Sequence, residues 1–427
     1  MKRVSLISIF TILILSLYSQ DLIDIYKSGP VKLVPDKTYA NDNNWDAVFE
    51  TYWDTLYGQP MGNRKSLQVL PDGRVVVNHT YRNFYTMFSP DGRFVKEFGV
   101  KDSKGKRFSK TEEIVGVLDN NIFVSALDNV GNMVCFDFDG NYEKTLKLDY
   151  MARQVVTLPG NKIALVGWVI WSDRFRDFVA IVDYETNEEK ILWDQFTDRC
   201  ASDSRCKLFN YSYNFKEKGS ISFTTMPWQK STGMTSPPRI AVIGDELIVA
   251  LPPTGEIMVY DQEGNLKSHD KIDWAQNYVS VEEQRKIQQK AIDRYKNAED
   301  HKMAEWLSVE ESRAAKEELV RQMETDLAKI SEPIPIPTFS TIIRDSDDNL
   351  LFFEFPKEED ANKFNVWIYD GSGSFVCESS FVCDDYDLWI SSSKMVFHNG
   401  YIYGLQLQKG AAGVPLRLVR FKLSGDS

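Results

Sequence analysis

Along most of this chain, short runs of β-branched and aromatic residues, either alternating with polar residues or wholly apolar, are cut at regular intervals by turn-forming clusters. The clearest stretch is Leu67 to Gly99, LQVLPDGRVVVNHTYRNFYTMFSPDGRFVKEFG. Two Pro-Asp-Gly-Arg turns, Pro71–Arg74 and Pro90–Arg93, divide it into four runs. Pro presets φ at a turn's first central position and Gly accepts the positive φ that a hairpin demands, so each PDGR predicts a strand reversal. The unit is a four-stranded antiparallel meander, the size of one propeller blade.

Degenerate copies follow. The second runs over about 114–148, turning at Leu118–Asn121 and Asp137–Asn141; the third over about 154–196, turning at Leu158–Asn161 and Tyr184–Asn187. A fourth covers about 239–273, a fifth about 339–381 and a less regular sixth about 388–423. Runs such as RIAVI, ELIVAL, EIMVYD and NVWIYD suit sheets packed on both faces. Two segments break the period. Residues 198–235 hold a Cys pair and an extra hairpin, KLFNYSYNF then SISFTTMPW. Residues 274–337 are helical in character: SVEE at Ser280–Glu283 and again at Ser308–Glu311 is a capping box, in which Ser satisfies an early N–H and Glu reaches back. After the second box Ala315, Leu319, Met323, Leu327 and Ile330 form one stripe that must be buried, with the propeller rim as its expected partner. SEPIPIPT, Ser331–Thr338, then ends the helix.

With both interruptions set aside, roughly 260 residues remain for the repeats, about 43 for each of six; counting the first interruption as a blade gives seven of about 42. The predicted fold is therefore all-β, a six-bladed β-propeller with seven blades as the other count, carrying a helical insertion between blades four and five. The expected limits are a signal peptide at 1–20, a lead-in at 21–60 whose Val31–Val34 would close the last blade, and the propeller at 61–427.

Charge narrows the partners. Lys and Arg total 50 against 62 Asp and Glu, a formal charge of -12, which argues against nucleic acid or an anionic lipid surface. At the other extreme of the chain's polarity, Lys2 and Arg3 precede the apolar run Val4–Leu17, the signature of an export leader too short to span a bilayer. Cleavage is expected near Ser19 or Gln20; Leu17, two before Ser19, departs from the small-residue rule and keeps an uncleaved anchor as the alternative. No Cys follows the apolar run, which disfavours a lipoprotein, and nothing later is long and apolar enough to cross a membrane. The expected location is periplasmic or secreted. In that setting Cys200 with Cys206 and Cys377 with Cys383, each pair six apart, read as two local disulfides, with Cys135 a buried thiol; unpaired cysteines at both sites are the alternative. The spacing does not suit zinc, and the four His are scattered.

LPDGRVVV and FSPDGRFVKEFG in blade one, VYDQEGNL in blade four, and PTFSTIIRDSDDNLLFF after a charged helix resemble the secreted six-bladed β-propellers of the NHL-repeat and TolB-like group. The resemblance covers about Gly58 to the C-terminus and is weak for activity. That group has no shared catalytic motif that maps onto residues here.

If the strands of each blade run outward from the axis, loops between the second and third strands share a rim with the connections between blades. Both long interruptions are such connections, so they should decorate the same face as the loops at His79–Phe84, Trp168–Asp177, Leu251–Gly255 and Phe355–Lys363. On that face Trp168, Trp171, Arg174 and Arg176 of WVIWSDRFRD combine stacking surface with guanidinium forks, and Tyr81, Arg82 and Trp228 would join them as ligand contacts. The competing assignment is packing of these aromatics under neighbouring loops. There is no phosphate loop, GxSxG elbow or HExxH, so no catalytic residue, metal ligand or cofactor is assigned. The Asp345/Asp347/Asp348 and Asp384/Asp385/Asp387 clusters lack EF-hand spacing and read as turns, and His79 and His398 as lone turn histidines. The expected function is a monomeric, non-enzymatic, exported scaffold that binds a protein, peptide or glycan. The alternative is a propeller hydrolase or lyase with a metal near the axis.

Overall fold

The computed structural model describes residues 21–50, 53–54, 59–60, 66–79, 84–99, 111–118, 121–126, 132–170, 174–198, 209–215, 218–225, 237–272, 277–304, 306–355 and 362–425. The leader, Tyr81, Arg82, Trp171, Cys200, Cys206 and Trp228 lie outside the described residues.

Both PDGR segments are tight reversals. Leu70 N–H donates to Arg74 O and Gly73 N–H to Leu70 O, each at 2.8 Å, and Gly73 has φ +86°. The same five-residue pattern closes 89–93, 137–141, 261–265, 345–349 and 370–374. It is a three-residue hairpin loop whose last residue must take a positive φ, supplied by Gly92, Gly140, Gly264 and Gly373, and by Asp348 at +65°. In three of these turns an opening Asp also accepts from the backbone and side-chain amide of an Asn four residues on, as Asp137 does from Asn141 and Asp261 from Asn265. Asp345 and Asn349 make the third.

The protein is an all-β propeller. Four sheets stand alone with four strands each, over 67–99, 111–147, 151–198 and 239–271. Two further units, 341–382 and 386–424, merge in one nine-stranded sheet. The first strands 67–69, 111–118, 151–158, 239–243, 341–344 and 395–398 are neighbours in that order, and the last meets the first again. The core follows from this ring: it is a series of apolar sandwiches, one between each pair of successive units. Leu70, Val76, Tyr85 and Phe98 meet Ile122, Val134 and Phe136 across the first, and Val166, Val179 and Ile181 meet Ile240, Leu247 and Val249 across the third.

The merger is made by Pro30–Pro35, which runs antiparallel to Leu416–Ser424 (Leu33 opposite Leu423) and parallel to Phe375–Val382 (Val31 opposite Phe381). Beside it Arg420 lies between the rings of Tyr39 and Tyr401, 4.7 and 4.5 Å from their centroids, and its guanidinium donates to Asp36 at 2.6 and 3.1 Å. Burial alone would raise the Asp36 carboxyl, but hydrogen bonds from Thr38 and the Arg420 charge outweigh it and lower the group to about 2. Just before this strand, the helix Leu22–Lys27 places Tyr26, fully buried, so that its hydroxyl donates to Asp345 at 2.9 Å.

The two insertions are separate from the blades. Phe209–Phe215 and Gly219–Thr225 form their own two-stranded sheet. Val281–Asn297 and Val309–Leu327 are antiparallel-connected helices, each with its capping box made, on a base where Asn277–Val279 pairs with Ile334–Ile336. The helical stripe is buried, as it had to be, but not on the propeller rim. Leu319, Val320 and Met323 close on Ile292, Tyr295 and Met303, all within the insertion. Two amphipathic helices joined by a short link supply each other's apolar cover and need no third surface.

The expected Cys377–Cys383 disulfide is also corrected: both are free thiols. Cys377 sits within the strand Phe375–Val382 and Cys383 follows it directly. Six residues of extended chain span about 20 Å, whereas a disulfide needs Cα atoms within about 7 Å. Cys135 is a third free thiol, and burial pushes it up to about 12.

Candidate functional site

Antiparallel order sorts the connections onto two rims. First-to-second and third-to-fourth strand turns fall on one; second-to-third loops and blade-to-blade connections fall on the other. The insertions arise on the second rim, and there they touch. The Gln322 amide donates to Ser212 O at 3.1 Å and accepts from Ser212 N–H at 3.2 Å. Lys218 pairs with Glu311 at 2.6 Å, and Phe215 meets Trp306 edge-on at 5.6 Å. The base of the helical insertion is fixed to a loop of the same rim, where the Thr338 backbone and hydroxyl both donate to Pro252 O.

On the same rim, at the end of the third unit, the structure revises the expected loop Trp168–Asp177. Strands Lys162–Ile170 and Arg174–Asp183 continue into it, with Trp168 opposite Asp177, Val169 opposite Arg176 and Ile170 opposite Phe175. Because successive side chains in a strand point to opposite faces, this pairing divides the expected ligand contacts into two groups. Arg174 and Arg176 share one face. Their guanidinium groups lie 5.4 and 5.5 Å from the ring of Phe196, which is 53 % exposed. Arg176 also sits over Phe178 and is held through one terminal nitrogen by Asp194 at 3.0 Å, while its buried Nε meets no acceptor. Phe178 in turn closes on Gly167, where an added Cβ would lie 2.2 Å from the ring.

Trp168 lies on the opposite face, toward the fourth unit, with two residues that sequence reasoning missed. The Arg153 guanidinium stacks 4.0 Å from the Trp168 ring centroid. Arg153 falls at a bulge, where the register with the neighbouring strand slips between Ala152 and Gln154. Asp177, opposite Trp168, is 5 % exposed, and its buried Oδ1 has no hydrogen-bond partner. Burial raises its carboxyl above the usual range while Arg153 draws it down. The available signal was an acidic residue at the head of an apolar run, FVAIV preceded by Asp, with a tryptophan in the run before it.

Three acidic and histidine residues singled out earlier lie away from this region. His398 ends the strand Met395–His398 on the turn rim, where burial lowers its pKa. Asp345 is a buried turn residue serving Asn349 and Tyr26, and Asp384 pairs with Lys32. Among the described residues, no three His, Cys, Asp or Glu side chains converge as a metal set. No described helix is long and apolar enough to cross a membrane.

No protein-family model matches the sequence, and no curated protein matches it. Solved structures that it is similar to include a member of the DUF4221 family from Bacteroides vulgatus, at 12% identity, covering 93% of this chain and 100% of that one with a TM-score of 0.45. Virginiamycin B lyase from Staphylococcus aureus is similar at 12% identity, covering 84% of this chain and 94% of that one with a TM-score of 0.36. A calcium-binding protein, regucalcin, from Agrobacterium tumefaciens is similar at 6% identity, covering 86% and 92% with a TM-score of 0.38.

Proposed function

We propose that this chain is an exported, non-enzymatic binding scaffold, a six-bladed propeller of the NHL-repeat and TolB-like kind, that takes a protein, peptide or glycan on the rim carrying both insertions. The observation that supports this reading is the joining of the hairpin and the helices to each other on the rim that also carries the end of the third unit, through Gln322–Ser212 and Lys218–Glu311. Long connections tied down on a rigid ring hold contact residues in place at little entropic cost on binding. Trp168 and Arg174, on the two faces of one blade end, are the assigned contacts, so a ligand would straddle that edge.

The experiment is a binding screen of the purified full chain against an oligosaccharide array and a peptide library, repeated with Trp168→Ala and Arg174→Ala. Loss of about 1–2 kcal/mol of binding with melting temperature lowered by only a few degrees supports the reading. Unchanged binding in both variants, or turnover of a ligand that depends on a stoichiometric metal, rejects it.

A further inference from the structure

We infer that Asp177 is the anchoring acceptor of a ligand site between the third and fourth units, and that the group it takes is a hydroxyl of an uncharged saccharide. The inference rests on the preceding reading and selects one of its ligand classes.

Three observations carry it. The first is the carboxylate itself. Asp177 is more than nine-tenths buried, its Oδ1 meets no donor, and it stands in the rim-ward half of the strand Arg174–Asp183, paired with Trp168 on one side and Gln195 on the other. A buried oxygen without a donor costs on the order of 1–3 kcal/mol, more for a charged group. Such a defect is retained where something else fills it. The second is the neighbourhood. Arg153, stacked on Trp168, supplies a positive charge that bears directly on Asp177. The pair is already near neutral. A cationic ligand would displace Arg153 from its role, an anionic one would face Asp177, and either leaves a desolvated charge uncompensated. An uncharged donor completes the oxygen without disturbing that balance. The third is enclosure: Oδ1 is shut off from bulk water, so a donor reaches it only as the site opens, and a single hydroxyl asks for the least opening, beside an indole one face of which Arg153 already covers. A ring that carries both hydroxyls and C–H faces satisfies these demands together.

Strand geometry keeps the site distinct from the arginine pair. Arg174 and Arg176 lie across the sheet from Asp177 and do not reach its oxygen.

The test is equilibrium binding of the full chain to an array of neutral and acidic oligosaccharides, alongside a peptide library, for the native protein, Asp177→Leu and Asp177→Asn. The expected result is binding of neutral oligosaccharides in preference to acidic ones, weakened about tenfold or more by Asp177→Leu and less by Asp177→Asn, which keeps an acceptor. The melting temperature should hold or rise, because the unpaired carboxylate is gone. If Asp177→Leu does not fold, the affinity of Asp177→Asn decides. No neutral-oligosaccharide binding by the native chain, or binding indifferent to Asp177, overturns the inference and leaves Oδ1 to an enclosed water. A peptide whose binding falls in Trp168→Ala but not in either Asp177 variant overturns it while the scaffold reading stands.

Discussion

The two rims of this ring are built on different principles. On one, five-residue turns repeat the same hydrogen bonds and lock the first unit onto the second and the third onto the fourth. Arg74 reaches Asp139 at 2.9 Å, Lys96 donates to Asp139 O at 2.6 Å, Lys190 donates to Glu263 O at 2.6 Å, and Gly140 lies flat against Phe98. On the other, connections differ from unit to unit, from three residues at 148–150 to the two long insertions, and those insertions touch each other through side chains near the surface. The contrast separates what holds the ring from what the ring holds. Disturbance of the first rim should cost stability, and disturbance of the second should cost recognition.

The largest expected loss comes at the seam. Arg420→Ala leaves Asp36, whose side chain is 8% exposed, without its charge partner, and should destabilise the protein by about 3 kcal/mol, read by denaturant or thermal melting with oligosaccharide or peptide binding retained below the transition. Next is Gly140→Ala. It combines a φ of +74° with a Cβ placed 2.7 Å from the Phe98 ring, at a cost of about 2 kcal/mol. Gly160→Ala, at φ +73° with nothing within 4 Å, should cost about half as much. Equal losses would show that neighbour packing adds nothing to the turn.

Acid sharpens the same contrast. The Asp36 carboxyl is held down to about 2 in the folded state, against about 3.9 for a free side chain. A depressed carboxyl contributes stability that is full above the unfolded value and is lost as pH falls through the folded one. The melting temperature should therefore drop between about pH 4 and pH 2, and Arg420→Ala should flatten that drop. The smallest effect is expected on the insertion rim. Gln322→Ala removes both hydrogen bonds to Ser212 yet should change global stability by no more than about 1 kcal/mol. Faster proteolysis of the 209–225 hairpin, with an unchanged melting temperature, is the reading that separates the rims.

The turn rim was legible in the sequence because its chemistry is local. PDGR, DFDGN and DQEGN name the residue that must take positive φ and the Asp that caps it, within five positions. The blade signal and both capping boxes were readable for the same reason. What escaped depended on where a side chain points. WVIWSDRFRD reads as one aromatic and basic cluster, yet its described residues lie in two paired strands whose alternation parts Trp168 from Arg174 and Arg176. Cys377 and Cys383 read as a small loop, yet extended chain holds them far apart. The helical stripe announced that it would be buried but could not announce against what. Asp177 and Arg153 escaped because a bulge and a cross-strand neighbour are not visible in either residue's own surroundings.

Pro30–Pro35 lies between strands some 350 to 390 positions further along. The arc shuts when its earliest described strand is met by its last, so a chain broken off before Leu416 would leave Leu33 and Val34 without their antiparallel partners and Val31 held from one side alone, by Phe375–Val382. Completeness of synthesis is thereby checked by shape: a truncated product leaves the seam strand open along one side, an edge for a protease to find, which the finished chain pairs on both.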